Sequence, residues 1–398
     1  MKIVYLAAYF YPEKYASDEI YSSILEELAK PNEVHVIAPQ PTRGVSDEEF
    51  EKYHSYEVKN GVIIHRFPMV REQRSALKRM LRYKRCERKY RKILKAIGHA
   101  DYIFVASTPP TMGLLAGKLA KKIGAKFIYS LQDIFPDSLI SSGILRKKRG
   151  PIWWIGKRIE QKTYNFANRI TVISDSFYKN LRSKNVPIKK LALIPNWVDL
   201  ENVYPVPKEE NSLFEELGIK RDRFNIVYAG NMGAAQGVEI ILDLAEQLKD
   251  AENVQFVVFG GGTGYEDFVC AVKERKLHNV IVNPLLTKER VSEVYSLGDV
   301  ALIICKKGVG QTGLPSKTWS IMACNTPIVA SFDTDSELAE ILQTASAGIC
   351  IETGDVTALS ATILGMMKKP LTVSSRQYLR ETLSKEVLIG KYLELFNV

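Results

Sequence analysis

A lysine that follows a glycine-rich loop and opens a predicted helix is the feature of this sequence that most strongly suggests chemistry. Residues 308–330 read GVGQTGLPSKTWSIMACNTPIVA. This pattern predicts a glycine loop, a short helix opening at Pro315 and Ser316, and a buried strand from Pro327. Backbone N–H groups at a helix start attract anions, whereas a cation such as Lys317 in the first turn opposes the helix dipole. A bound phosphate or diphosphate would resolve that conflict, so the sequence predicts a phosphate site here.

A second candidate is a carboxylate at the predicted end of a buried strand. Asp133 follows the apolar residues 126–131 and precedes Pro136. Ligands bind at the carboxyl ends of parallel strands, so we predict a functional role for Asp133, with a helix or turn cap as the alternative. Asp333 and Asp335 resemble a metal-binding pair, but their position just past a later strand favours a loop or a cap.

The elements that must position these residues alternate along the whole chain. Continuous apolar strands separated by amphipathic helices predict an α/β fold with two doubly wound, Rossmann-like domains that face each other across a cleft. The pattern restarts after a proline-bearing polar segment near residues 204–211. We therefore predict domains at 1–198 and 199–379, with a last helix at about 380–398 that packs back on the first domain. Predicted strands include 102–106, 126–131, 224–229 and 300–305, and predicted helices include 18–29 and 112–123.

The bulk composition limits the possible partners and compartment. The chain has 398 residues, a formal net charge of +10 and five scattered cysteines. That charge suggests an anionic partner, while the cysteines predict neither a disulfide framework nor a zinc site and fit a reducing cytoplasm. The histidines show no metal-ligand spacing. The apolar N-terminus is predicted to be a first strand rather than a signal peptide, and no segment is long enough to span a bilayer.

One basic segment combines cations with aromatic rings. Residues 145–158 read LRKKRGPIWWIGKR. Tryptophan rings beside cations suit the headgroup region of an anionic membrane, so we predict docking by this segment, with a solvated basic face over a core helix as the alternative. The predicted membrane-contacting residues are Arg146, Lys147, Lys148, Arg149, Trp153 and Trp154.

Several short motifs, taken together, resemble the retaining glycosyltransferases of the large GT-B family that includes bacterial capsule, exopolysaccharide and O-antigen enzymes (glycosyltransferase family 4-like). The similarity covers nearly the whole chain. The motifs on which the resemblance rests are YFYP (9–12), STPP (107–110), LQDIFPD (131–137), IPNWVD (194–199), YAGNMGAAQG (228–237), FGGG (259–262) and LPSKTWSIMA (314–323).

The resemblance implies an acceptor-binding first domain and a second domain that binds a nucleotide-sugar, with retention at the anomeric carbon and no essential metal or other cofactor. It also implies a role for Asp133 near the donor sugar. The donor-binding residues that it indicates are Gly230, Asn231, Gly233, Gln236, Gly260, Gly261, Leu286, Gly310, Gln311, Thr312, Gly313, Lys317 and Ser320.

Two glutamates that are usual in this family are missing. The glycine loop at 310–312 has no acid, and the helix position that normally binds the ribose hydroxyls holds Ser320. A serine hydroxyl binds another hydroxyl more weakly than a carboxylate does. Many relatives also place an arginine and a lysine near the turn at 230–233, where this chain has Asn231 and Gln236, so the phosphate charge is expected to fall more heavily on Lys317.

The leading hypothesis is a glycosyltransferase of bacterial surface polysaccharide assembly on the inner face of the cell membrane. Its donor would be a UDP-sugar, for example a UDP-N-acetylhexosamine, and its acceptor a lipid-linked saccharide. A UDP-hexosamine 2-epimerase of the same fold is an alternative that would not need the segment around Trp153 and Trp154. A basic nucleic-acid-binding protein is a third hypothesis, motivated by net charge alone and without a supporting motif.

Overall fold

The computed structural model divides the chain into two compact units, which are Met1–Asn196 with Leu388–Val398 and Trp197–Val387. It describes residues 1–397 except for 14–17, 43–44, 71–75, 142–143, 146, 234–235 and 311–313, and it describes only the backbone of 18–19, 49, 76–85 and 141.

The first unit is an eight-stranded sheet with helices between its strands. The strand order is β3-β4-β2-β1-β5-β6-β7-β8, and every pairing is parallel except β3 with β4. Its strands are β1 (Lys2–Leu6), β2 (Glu33–Pro39), β3 (Tyr56–Lys59), β4 (Val62–Phe67), β5 (Tyr102–Ala106), β6 (Lys126–Leu131), β7 (Arg169–Val172) and β8 (Leu191–Leu193). Its helices are α1 (Asp18–Ala29), α2 (Asp47–Glu51), α3 (Ala76–Ile97), α4 (Pro110–Ile123), α5 (Ser138–Ser141), α6 (Pro151–Phe166) and α7 (Asp175–Ser183), with a 3₁₀ turn at Ile188–Lys190.

The second unit is a six-stranded, all-parallel sheet of order β11-β10-β9-β12-β13-β14. Its strands are β9 (Phe224–Asn231), β10 (Val254–Gly261), β11 (Val280–Pro284), β12 (Val300–Ile304), β13 (Ile328–Ser331) and β14 (Gly348–Ile351). Its helices are α8 (Leu213–Glu216), α9 (Glu239–Gln247), α10 (Tyr265–Glu274), α11 (Val291–Ser296), α12 (Lys317–Ala323), α13 (Glu337–Thr344), α14 (Val356–Lys368) and α15 (Ser375–Thr382), with a 3₁₀ turn at Lys288–Arg290; α16 (Lys385–Leu395) begins in this unit.

The sequence forms these sheets because its central strands are apolar on both faces. Every residue of β12 is buried, as are the first four residues of β5. Strands of this kind need helices on both sides of the sheet, which the intervening amphipathic segments supply. The strand order reverses beside β1 in the first unit and beside β9 in the second, and such switch points are where α/β sheets bind ligands. The predicted α/β fold with two doubly wound domains is confirmed.

The end of the chain differs in part from the prediction. In the first unit, Phe396 packs edge-on against Phe104 of β5, with ring centroids 5.6 Å apart. Residues 380–387, however, belong to the second unit, although the predicted last helix placed them on the first domain. Arg376 explains this, because its guanidinium donates to the carbonyls of Ala323 and Leu200 (2.6 and 2.5 Å) and so fixes α15 in the second unit.

Candidate active site

Lys317 is the central cation of the candidate site in the second unit. It is the first residue of α12, and its Nζ lies 4.2 Å from the ring centroid of Tyr228 on β9. A Cβ atom on Gly230 would lie 2.4 Å from that Nζ, so only glycine allows the ammonium to approach the end of β9 this closely. The sequence predicted the helix and its lysine, but the position of Tyr228 beneath the ammonium was missed.

The Lys317 ammonium is buried without a hydrogen-bond partner among the residues that the structure describes. Burial alone lowers the pKa of Lys317 from 10.5 to about 8. The Tyr228 ring offsets only part of the lost hydration, since a cation–π contact stabilises by about 0.5–2 kcal/mol. A bound anion would stabilise the charged form and satisfy the three N–H donors, so this position favours a phosphate ligand.

The predicted glycines around Lys317 meet at the carboxyl ends of β9 and β10. Gly230 pairs with Gly260, and Asn231 pairs with Gly261. Beyond the strands, the Met232 N–H donates to the Gly261 carbonyl at 2.6 Å, which joins the two loops. Of these glycines, Gly230 lies directly beside the buried ammonium.

The other predicted donor-site residues are arranged around the same edge. The backbone N–H of Gln236 donates to the Gly233 carbonyl at 3.0 Å. Leu286 is half-buried beyond β11, and Ser320 is half-buried on α12. Gly310 is buried after β12, whereas Gln311, Thr312 and Gly313 lie outside the described residues.

Asp133 lies in the first unit, two residues beyond β6. The backbone N–H groups of Gln132 and Asp133 both donate to the Ser107 hydroxyl oxygen, at 3.0 and 3.2 Å. The side chains of Gln132 and Asn196 form reciprocal amide hydrogen bonds of 3.1 and 2.8 Å. The positioning roles of Ser107 and Asn196 were missed, although both stand in motifs that carry the family resemblance.

The carboxylate of Asp133 is exposed and forms no ion pair with a described cation. Partial desolvation raises the pKa of Asp133 above its ordinary value of 3.8, and hydrogen bonds from the Ser138 side chain and the Ile134 backbone oppose that rise. Much of the side chain nevertheless remains exposed to solvent. It is a fixed negative charge that is available to a ligand.

The aromatic segment on α6 differs from its prediction. Trp154 is 67% exposed, but Trp153 is only 6% exposed and lies in the core of the first unit. Adjacent helical residues point about 100° apart, and this rotation places Trp153 on the core side of α6 and Trp154 on the solvent side. The prediction that Trp153 contacts the membrane is therefore wrong.

The exposed face of α6 is nevertheless strongly apolar. Ile152 and Ile155, on the same turn of the helix as Trp154, are 61% and 62% exposed. Lys147, Lys148 and Arg149 are exposed just before the helix, and Arg146 lies outside the described residues. The helix is fixed to the segment after β6 by Lys184, whose Nζ bonds Glu160 on α6 and Asp137, both at 2.5 Å.

No helix among the described residues combines the length and apolarity that crossing a membrane requires. The same residues contain no cluster of three or more histidine, cysteine, aspartate or glutamate side chains placed to hold a metal ion.

Comparison with known proteins assigns both halves of the chain. Residues 22–202 match Glycosyltransferase Family 4, and residues 209–385 match Glycosyl transferases group 1. The chain is 26% identical to the putative colanic acid biosynthesis glycosyl transferase WcaI of Escherichia coli (strain K12), across 99% of each protein. It is 26% identical to the probable glycosyltransferase WbjE of Pseudomonas aeruginosa, across 68% of this chain and 67% of that protein. The crystal structure of Alr3699/HepE of Anabaena in complex with UDP superposes with a TM-score of 0.72 at 13% identity, covering 100% of both chains.

Proposed function

Because this chain belongs to the GT-B glycosyltransferases, with a family 4 domain followed by a group 1 domain, we propose that it transfers a sugar from a UDP-sugar during bacterial surface polysaccharide biosynthesis. The acceptor is a lipid-linked saccharide, and the anomeric configuration is retained. The observation that carries the proposal is the buried, unpartnered ammonium of Lys317 beside the glycines that end β9 and β10.

The chemistry divides between a cation and a carboxylate. Lys317 neutralises the diphosphate and stabilises the negative charge that grows as the sugar leaves. Asp133 stabilises the positive charge that develops at the anomeric carbon. Neither role requires a metal ion, and we propose that the enzyme works without one.

The relatives support the donor and the pathway. HepE binds UDP, and the name of WcaI places that protein in colanic acid biosynthesis. Titration calorimetry with UDP and with UDP-N-acetylglucosamine, UDP-N-acetylgalactosamine, UDP-glucose and UDP-galactose tests the donor directly. Incubation of the bound sugar nucleotide without acceptor, followed by product analysis, separates transfer from 2-epimerisation. The nucleotide assignment is wrong if none of the five compounds binds.

The affinity for UDP should fall as the pH rises above about 8. Protonated Lys317 binds the diphosphate, and its pKa in the free protein is about 8. Below that pH Lys317 is already protonated in the free protein, so its titration does not change the affinity. Above it, binding must take up a proton, and the affinity falls by up to about tenfold per pH unit. Burial raises the pKa of the neighbouring Tyr228, so its titration does not interfere.

Calorimetry of UDP binding between pH 7 and pH 9.5 measures this dependence. Lys317→Arg is the matched variant, because a guanidinium stays charged throughout that range. Its pH profile should be flat. A wild-type affinity that does not change over the same range would contradict the proposed protonation.

We propose that the exposed face of α6 docks the first unit on the anionic inner leaflet of the cell membrane. Ile152, Trp154 and Ile155 form the apolar part of this surface, and Lys147, Lys148 and Arg149 stand beside it. Apolar side chains insert into the membrane interface, while each nearby cation contributes about 1 kcal/mol to binding at an anionic surface. This docking brings the enzyme to an acceptor that is anchored in lipid.

The variant Ile152→Ser/Trp154→Ser/Ile155→Ser should lose flotation with phosphatidylglycerol vesicles while its circular dichroism stays that of the wild type. Ile188→Ser is the control, since Ile188 is 55% exposed elsewhere on the same unit. It should float normally. If the triple variant stays folded and floats as well as the wild type, α6 is not the docking surface.

A further inference from the structure

Asp333 places a second buried charged side chain at the same edge of the second unit. It lies two residues beyond β13 and is 6% exposed. Its Oδ1 accepts a hydrogen bond from the Gly308 backbone N–H at 2.9 Å and a longer one from the Thr353 hydroxyl at 3.5 Å. The loop or capping role that the sequence predicts for Asp333 therefore accounts for Oδ1 only.

The other oxygen of Asp333 has a different environment. Oδ2 is buried and has no hydrogen-bond partner among the described residues. A buried, unsatisfied carboxylate oxygen is costly, and protein cores rarely contain one without a functional reason. This oxygen therefore needs a donor that comes from outside the described residues.

The neighbour of Oδ2 is Gly310, which belongs to the predicted donor loop. A Cβ atom on Gly310 would lie 2.9 Å from Oδ2 and 2.5 Å from Cε1 of Phe332. The backbone of Gly310 therefore approaches the carboxylate closely, and any side chain at this position would collide with Phe332 and with Oδ2. The Lys317 ammonium lies at the end of β9 and the carboxylate follows β13, and these two strands are separated in the sheet by β12 alone.

We propose that Asp333 accepts hydrogen bonds from hydroxyl groups of the donor sugar and so selects the sugar that is transferred. The proposal rests on the proposed function. A nucleotide-sugar offers an anionic diphosphate next to a ring of hydroxyl donors, and the site offers a buried cation and a buried acceptor in the same unit. A carboxylate only accepts, so it matches hydroxyl donors and binds them more strongly than a neutral oxygen does. In this role Asp333 supplies the acid that the loop at 310–312 lacks.

Asp333→Asn separates this role from loop anchoring. The asparagine amide oxygen can still accept from the Gly308 N–H, but the charged acceptor for the sugar is lost. We measure the affinity of wild type and variant for UDP and for the four UDP-sugars named above, and we compare each UDP-sugar with UDP. The advantage of the preferred UDP-sugar over UDP should fall by about 10- to 100-fold, while the affinity for UDP itself stays unchanged. Asp335→Asn is the matched control, because Asp335 is exposed two residues further along.

The outcomes distinguish this proposal from the one on which it rests. If Asp333→Asn keeps the wild-type ratio of UDP-sugar to UDP affinity, the sugar contact is overturned and Asp333 only anchors the loop. Loss of UDP binding and UDP-sugar binding together in a folded variant also overturns it, because the residue would then act on the nucleotide. If the wild type binds none of the five compounds, the nucleotide assignment fails and this proposal fails with it. A drop in the ratio in Asp335→Asn would equally contradict the role of Asp333.

Discussion

Asp133→Asn should lower the turnover number by about 100- to 1,000-fold, with little change in the affinity for the donor. The substitution keeps the shape of the side chain and removes the charge. As the bond to the leaving phosphate lengthens, positive charge develops on the sugar ring, and a fixed carboxylate stabilises that state more than the ground state. An effect on turnover without an effect on donor binding is the signature of such a role.

The pH dependence of turnover provides a second measurement on the same residue. The ionised form of Asp133 is the active form, and desolvation raises its pKa above 3.8. Turnover should therefore fall on acidification with a midpoint above pH 3.8, and this acid limb should disappear in Asp133→Asn.

Asp137→Asn is the matched control for this prediction. The Asp137 carboxylate lies four residues away and is bound by Lys184 at 2.5 Å. Its loss should lower the thermal unfolding temperature and leave the turnover of the folded enzyme unchanged. If Asp133→Asn keeps the wild-type turnover with the true acceptor, Asp133 is a turn residue and has no catalytic role.

Lys317→Met should weaken UDP binding by about 10- to 100-fold and, at the same time, stabilise the ligand-free protein. The first effect follows from the loss of a charged hydrogen bond to the diphosphate. The second follows because the ammonium is buried without a partner. Its pKa of about 8 instead of 10.5 corresponds to a destabilisation of about 3 kcal/mol at neutral pH. Misfolding would lower both the affinity for UDP and the stability, so it cannot explain weaker binding together with higher stability.

The stabilisation should depend on pH in a defined direction. The folded-state pKa of Lys317 is lowered, so the penalty is fully present below about pH 8 and is relieved as the pH approaches 10.5. The gain in thermal unfolding temperature of Lys317→Met should therefore be largest at pH 7 and shrink above pH 8. Lys249→Met is the control, because Lys249 is exposed and precedes the amino end of β10. Unchanged UDP affinity in Lys317→Met would refute the phosphate role.

Local pattern was enough for the regular elements of both units. The predicted strands at 102–106 and 126–131 and the predicted helix at 18–29 have the observed bounds of β5, β6 and α1. These segments are long and strongly periodic, and each buries its apolar residues as the pattern requires. Strand β3 was missed because it is a short edge strand, antiparallel to β4, with polar residues between its apolar ones.

The sequence by itself determined the doubly wound fold, the glycine-rich strand ends and the lysine that opens α12, since these depend on residues close together in the chain. Only the tertiary structure decided the environment of the charges. The Lys317 ammonium is buried beside Tyr228 and Gly230, and Asp333 is anchored to Gly308 beside Gly310. Likewise, the packing of α6 against its own unit buries Trp153 and exposes Trp154. The burial and pairing of these side chains arise from contacts between residues far apart in sequence, which the local periodicity does not encode.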